Sequence, residues 1–241
     1  MFTAGIDGCK AGWFVTGNRD NQPVYYVIEN ISDFTQIAME CDRIFIDIPI
    51  GLSSTEASRE CDRLLRKNIG APYTSSVFNP PVRQALYCDS YTKACDVNEH
   101  ITGKRMSKQS WNITSKIREV DQWLTKQSDL RNNIFESHPE WCFSILNNAT
   151  PIPYKKKTND GKKYRLDLLE ENWPEIRSYY EGIRNQTKRS SVSADDILDS
   201  IVLSYFSAIS LKNGIYSFPE KPPADDKGLP MGIFYTTLKQ F

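Results

Sequence analysis

The sequence is short of the residues that build metal-thiolate sites. Its six cysteines (Cys9, Cys41, Cys61, Cys88, Cys95, Cys142) include no C-x-x-C pair, and only two histidines are present. A zinc site of Cys/His type needs closely spaced ligands, and that spacing is missing. No run approaches the ~18 unbroken apolar residues of a membrane helix. The opening MFTAGIDGCKAG has neither a basic start nor an apolar core and carries Asp7, so it does not read as a signal peptide. The cysteines therefore read as reduced thiols, with the cytoplasm as the expected compartment. An excess of charge is also missing, since Lys+Arg and Asp+Glu are 30 each. Proteins that coat long duplex DNA are normally basic, which leaves only local basic patches for nucleic acid.

What remains is a globular composition, 39% hydrophobic, 12% aromatic and 25% charged over 241 residues. A chain of this length buries roughly 70% of its unfolded surface and needs no disulfide or metal to fold. Residues 3–7, 12–17 and 24–29 read as three short strands, with the turn-rich stretch 18–23 as a hairpin link. Residues 31–41 carry Phe34, Ile37, Ala38 and Cys41 at helical spacing. Residues 43–48 form a nearly all-apolar run, as a buried parallel strand does. This opening is mixed α/β and lacks a Rossmann alternation. From residue 52 to about 127 the pattern is mostly helical, over 54–68, 81–89, 90–101 and 107–127. With no linker setting that stretch apart, the expectation is one domain, 1–241, with a helical insertion at about 52–127. Beyond it, 133–137 reads as a strand, and 139–146, 162–171 and 174–182 read as helices. Residues 193–211 give the clearest helix, with Ser193 as its N-cap. Residues 232–236 read as a closing strand.

Five acids recur at related places. Asp7 and Asp47 close two strands, Glu136 ends a third, and Asp196 with Asp199 shares one face of the 193–211 helix. Acids at strand ends are costly in a core unless paired with a cation. Gathered together they suit Mg²⁺ or Mn²⁺, hard cations that prefer oxygen ligands. Such ions activate a water and stabilise the leaving oxygen of a phosphodiester. Each acid also has a plainer use: Asp195 and Asp196 can serve the helix N-terminus, and Asp7 and Asp47 can serve turns. Asp199, set among Leu198, Ile201, Val202 and Tyr205, is harder to explain that way. The joint pattern points to a metal site.

The motifs G-I-D-x-x-K-x-G-W (5–13), I-D-I-P-I-G-L (46–52) and D-D-x-x-D (195–199) resemble the ribonuclease-H-like superfamily. More closely, the chain resembles domain-of-unknown-function family 429, described as predicted nucleases of that superfamily. Further stretches carry this resemblance. They are Arg59-x-Cys61-Asp62, Ser76-Val77-Phe78 with Pro80-Pro81-x-Arg83, and Lys116-Ile117-Arg118-Glu119-Val120-Asp121. Glu136-x-His138-Pro139-Glu140, Lys156-Lys157-Thr158 with Gly161, and Gly228-Leu229-Pro230-Met231 complete the set. The resemblance implies a ribonuclease-H-like five-stranded mixed sheet in order 3-2-1-4-5, flanked by helices, with the helical insertion after strand 4. It places Asp7 and Asp47 on adjacent central strands, with Asp196 and Asp199 against them, as in resolvases of the RuvC type. The implied activity is metal-dependent cleavage of DNA or RNA, with Asp7, Asp47, Asp196, Asp199 and Glu136 as the catalytic set. The first four of these would be the metal ligands.

Three stretches are locally basic: 101–118, 151–165 and 184–189. Each reads either as a solvated face or as a phosphate-neutralising patch, with Trp111, Tyr154 and Tyr164 available to stack on unpaired bases. Lys10, Lys116 and Lys156 are the preferred phosphate contacts because they lie within the family-like motifs. His138 reads either as a general acid or as a packing group. Two other classes compete with the nuclease reading. One is a non-catalytic nucleic-acid or protein-binding module on the same fold. The other is an actin-like phosphotransferase, for which the chain lacks a duplicated domain and glycine-rich phosphate loops.

Overall fold

The computed structural model describes residues 1–56 and 58–238. The chain divides into two compact units. One comprises Met1–Asp47, Asn132–Tyr216 and the segment from Phe234; the other comprises Ile48–Arg131 and Ser217–Ile233.

The first unit opens with β1 (Phe2–Cys9), β2 (Gly12–Arg19) and β3 (Gln22–Ile28), paired antiparallel in succession. Asp20 and Asn21, between β2 and β3, both have positive φ (51° and 65°), as a two-residue type I′ hairpin requires. A 3-10 turn at Ile31–Phe34 leads into α1 (Thr35–Glu40) and then β4 (Arg43–Ile46), which lies parallel to β1.

The second unit follows with α2 (Glu60–Ile69), α3 (Arg83–Leu86), α4 (Tyr91–Thr102), α5 (Lys108–Asn112) and α6 (Thr114–Lys126). Three predicted helices are corrected here. The 54–68 helix begins only at Glu60, because Ser53 Oγ takes the N–H groups of Thr55 and Glu56 and turns the chain. Ala57, inside that predicted helix, lies outside the described residues. The 81–89 helix shrinks to α3. The 107–127 helix is broken at Ile113, where the Thr114 hydroxyl donates to the Trp111 carbonyl (2.7 Å) and ψ falls to −1°.

The chain then re-enters the first unit with β5 (Ile134–Glu136), parallel to β4, followed by α7 (Pro139–Leu146), α8 (Asn159–Glu170), α9 (Ile176–Gln186) and α10 (Ala194–Asn213). Two short strands close the chain, β6 (Tyr216–Phe218), which the sequence pattern missed, and β7 (Ile233–Tyr235); they pair with each other. The main sheet has the order β3-β2-β1-β4-β5, so the expected mixed α/β architecture with order 3-2-1-4-5 is what the chain adopts. Among the described residues no helix is long and apolar enough to cross a membrane.

The position of α10 follows from small residues on both sides of its contact with β1. A methyl group added at Gly5 would stand 2.2 Å from both the Ser200 carbonyl and the Ser204 nitrogen. Only glycine lets the helix axis approach this strand so closely. The helix is then pinned by its serines. Ser200 Oγ donates to the Gly5 carbonyl (2.9 Å) and accepts the Thr16 N–H (2.9 Å), while Ser207 Oγ donates to the Arg43 carbonyl (2.9 Å).

Candidate functional site

Strand alternation decides which side chains meet α10. Gly5 faces the helix, so Asp7, two residues on, faces it too. Gly5 is in register with Phe45, which puts Asp47 on the same side. The Asp47 N–H donates to the Ile6 carbonyl (2.9 Å), extending the parallel ladder one step and seating the two acids beside each other. Asp7 Oδ1 accepts the Gly8 N–H (2.7 Å). Glu136 is in register with Ile46, and Ile46 with Ile6. Its buried side chain therefore faces the opposite side of the sheet from Asp7 and Asp47, and the structure does not bring it into their group.

On α10 the two predicted acids have different employment. Ser193 and Asp196 form a reciprocal capping box: Ser193 Oγ accepts the Asp196 N–H (3.2 Å), and Asp196 Oδ2 accepts the Ser193 N–H (2.8 Å). Asp195 stands 3.9 Å from the Lys162 ammonium. Asp199, nearly one turn further on, is buried and accepts from Lys156 Nζ at 2.9 Å.

The loop that delivers Lys156 is held at both ends. Thr158 caps α8, its Oγ1 accepting the Gly161 N–H and donating to the Lys155 carbonyl. A Cβ at Gly161 would lie 2.0 Å from that carbonyl, so the loop closes only over glycine. Arg165 spans the loop by donating to the carbonyls of Tyr154 (3.3 Å) and Gly161 (3.1 Å). Its guanidinium is buried and bonded to both carboxylate oxygens of Glu140 at 2.9 and 2.7 Å. Sequence reading missed this pair. Arg165 sits in a run of lysines, and nothing in the composition separates the one buried cation from its solvated neighbours.

The electrostatics follow from crowding several acids around one ammonium. Burial first, then the charges of Asp199 and Asp47, raises the Asp7 carboxyl well above the usual range. Burial and Asp199 push Asp47 up to about 7, with Lys156 acting the other way. Asp199, with help from Asp7 and Asp47, holds the Lys156 ammonium protonated far above the usual lysine range, against the effect of burial. Burial also raises Glu140, opposed chiefly by Arg165. Burial and mutual repulsion thus both favour the protonated form of Asp7 and of Asp47.

Among the described residues no three acidic, histidine or cysteine side chains already stand as a metal cage. The chemistry of the donors does suit a small hard cation: carboxylate oxygens whose mutual repulsion a divalent ion would relieve. In the structure the Lys156 ammonium occupies that electrostatic role.

The other predicted contacts are dispersed. Lys10 is exposed on the turn after β1, Lys116 is half-buried on α6 in the second unit, and His138 is half-buried at the start of α7. Several members of the basic stretches serve the protein itself. Arg118 donates to the Leu86 and Cys88 carbonyls, and Arg105 pairs with Asp96 and Glu99. Trp111 packs on Tyr91, and Tyr154 on Tyr164.

A mixed sheet with order 3-2-1-4-5, carrying acids at the adjacent ends of β1 and β4 and a third acid on the helix across them, defines a helix-flanked α/β protein with a central carboxylate cluster. Comparison at the sequence level gives the family. The profile described as "Protein of unknown function (DUF429)" matches residues 5–224, and the chain belongs to that family. No curated protein and no solved structure matches the chain.

Proposed function

We propose that the chain is a metal-dependent nuclease of ribonuclease-H-like type, hydrolysing phosphodiester bonds in DNA or RNA in the cytoplasm. The observation that carries this reading is the mutual influence of Asp7, Asp47 and Asp199 around a single ammonium, on a sheet of this order. Asp7, Asp47 and Asp199 would hold Mg²⁺ or Mn²⁺, with Asp196 at the margin because its carboxylate caps α10. When bound, such an ion lowers the pKa of a coordinated water and stabilises the leaving oxygen. The chain's own contribution is to assemble the acids on rigid strands and to hold Lys156 beside them on a loop braced by Arg165. Lys10, exposed three residues from Asp7, is a phosphate contact in this reading. Glu136 has no place in the acid set.

A second reading, a non-catalytic binding module on the same fold, is favoured by one observation: Lys156 Nζ pairs with Asp199 at 2.9 Å and so meets its charge from within the chain. The two readings part in one experiment. Purified wild type and Asp7→Asn are compared for Mn²⁺-dependent cleavage of single-stranded and structured DNA and RNA. The nuclease reading expects cleavage in wild type and none in a folded Asp7→Asn. Equal rates in both proteins, or no cleavage of any substrate, would favour the binding module.

A further inference from the structure

The Ser76-Val77-Phe78 and Pro80-Pro81 motif takes no part in the carboxylate site, yet its Val77, Phe78, Pro80 and Pro81 line a separate cavity. That cavity, about 440 Å³, lies within the second unit, and its lining includes the apolar Phe78, Pro80 and Met106 and the basic Arg66, Lys104 and Arg105. No acid lines it. Its volume is within the range of small-ligand sites, roughly 300–1,000 Å³.

The walls are fixed by bonds internal to the unit. Arg66 Nε and Nη2 donate to the Val77 carbonyl, and Nη2 also donates to Asn79 Oδ1. Asn98 bonds the Val82 N–H and the Lys104 carbonyl, and Ser110 Oγ donates to the Asn79 carbonyl. This bracing leaves donors over. Arg66 Nη1 and the Lys104 ammonium have no partner among the described residues, and no aromatic ring there stacks on Phe78. Arg105 is engaged by Asp96 and Glu99, so the uncompensated charge belongs to Arg66 and Lys104.

We infer that this cavity binds a nucleoside monophosphate unit, with the phosphate on Lys104 and Arg66 Nη1 and the base against Phe78. Two positive donors with no acid opposite select a phosphate. A half-buried aromatic side chain in the same lining suits a planar ring, since stacking accepts any base. The unit is either a free nucleotide or one residue of a single strand. In the second case the inference rests on the nucleic-acid reading and adds to it a strand-holding subsite that includes none of the acids.

Binding is measured by calorimetry or NMR titration in chelator at low salt, with adenosine monophosphate, a short oligoadenylate and inorganic phosphate as probes. Omitting metal separates this test from the fate of the cleavage reading, because no step here uses Asp7, Asp47 or Asp199. Wild type should bind the nucleotide or the oligonucleotide more tightly than phosphate. Phe78→Ala should weaken the base-bearing probes about tenfold or more and leave phosphate unchanged. Lys104→Glu, an exposed change that leaves the walls intact, should abolish binding of all three. For the oligonucleotide, Lys104→Ala should lower the salt slope by about one. Preference for the oligonucleotide over the mononucleotide identifies a strand as the source; equal affinity identifies the free nucleotide. Absence of binding by either base-bearing probe, or binding unaffected by both Phe78→Ala and Lys104→Glu, overturns the inference.

Discussion

Lys156 and Asp199 form an ion pair of unequal partners: the lysine side chain is 40% exposed and the carboxylate 3%. The acid is fixed on α10, whereas the ammonium reaches it through a flexible stem from a braced loop. The lysine is thus the member that can leave. A divalent cation entering among the acids would compete with it directly, and a displaced ammonium would remain beside the site.

That competition is open to measurement. Lys156→Met should melt below wild type in chelator, because a buried acid loses its partner. It should then show a larger rise in melting midpoint than wild type with the same millimolar Mn²⁺, since the rival cation is gone. Melting curves with and without Mn²⁺ at fixed ionic strength decide it. An equal or smaller rise in Lys156→Met would mean that the ammonium does not compete for the site.

The raised acids also set a pH dependence. Asp47 is held up to about 7 against an ordinary 3.8, and Asp7 moves in the same direction. Between those limits the folded chain binds more protons than the unfolded chain, so stability falls as pH rises. Each group contributes a slope of at most about 1.4 kcal/mol per pH unit. Urea unfolding of the metal-free protein at pH 4.5, 5.5, 6.5 and 7.5 should show this decline, and Asp47→Asn should flatten it. A stability that instead rises through this window would contradict the proposed crowding.

Gly5→Ala tests the approach of α10. The new methyl meets backbone on both sides, so the helix must shift as a body. Overpacking of this kind costs typically 1–3 kcal/mol or more, and each kcal/mol lowers the midpoint by roughly 2–4 °C for a chain of this size. Because Asp199 travels with the helix, the Mn²⁺ response should shrink along with stability. A variant as stable and as metal-responsive as wild type would show that the contact is looser than described.

The Arg165–Glu140 pair gives a contrasting outcome. Removing one member strands a buried charge, and Arg165→Met should lose about 3–5 kcal/mol. Replacing both residues, Arg165→Met with Glu140→Met, should recover much of that loss, since well-packed apolar groups often serve as well as a buried pair. Recovery of stability without recovery of the wild-type Mn²⁺ response would identify bracing of the Lys156 loop as the pair's separate contribution. Denaturant midpoints and the same melting series supply both readouts.

Legibility of the sequence varied with the range of the interactions involved. The β1–β2–β3 meander was readable because apolar alternation and the Asn18–Pro23 turn are local signals. Ser193 announced its helix for the same reason, and its capping box consumed Asp196 as the helix-terminus reading allowed. Asp7, Asp47 and Asp199 stood out because each is an acid embedded among apolar neighbours. Glu136 was misleading. It also ends a strand, but its face depends on register with Ile46 and Ile6, which no single segment encodes. The break at Ile113 escaped because the apolar stripe runs on through it, and β6 escaped because three residues give too little periodicity. Arg165 escaped most completely, since burial of one cation in a basic run is decided by Glu140 on another helix.

The contact between Gly5 and Ser200 joins positions 195 residues apart in the chain. During synthesis, β1 and β4 emerge first, bearing Asp7 and Asp47, long before Lys156 or α10 exists. Contacts of such long range also form slowly, because the intervening chain must be ordered before they are rewarded. The half-made protein therefore holds two acids with neither the third acid nor the ammonium. Whatever the cluster does, it does only once α10 has docked against β1, so its chemistry waits on a segment made long after the strands that bring Asp7 and Asp47 together.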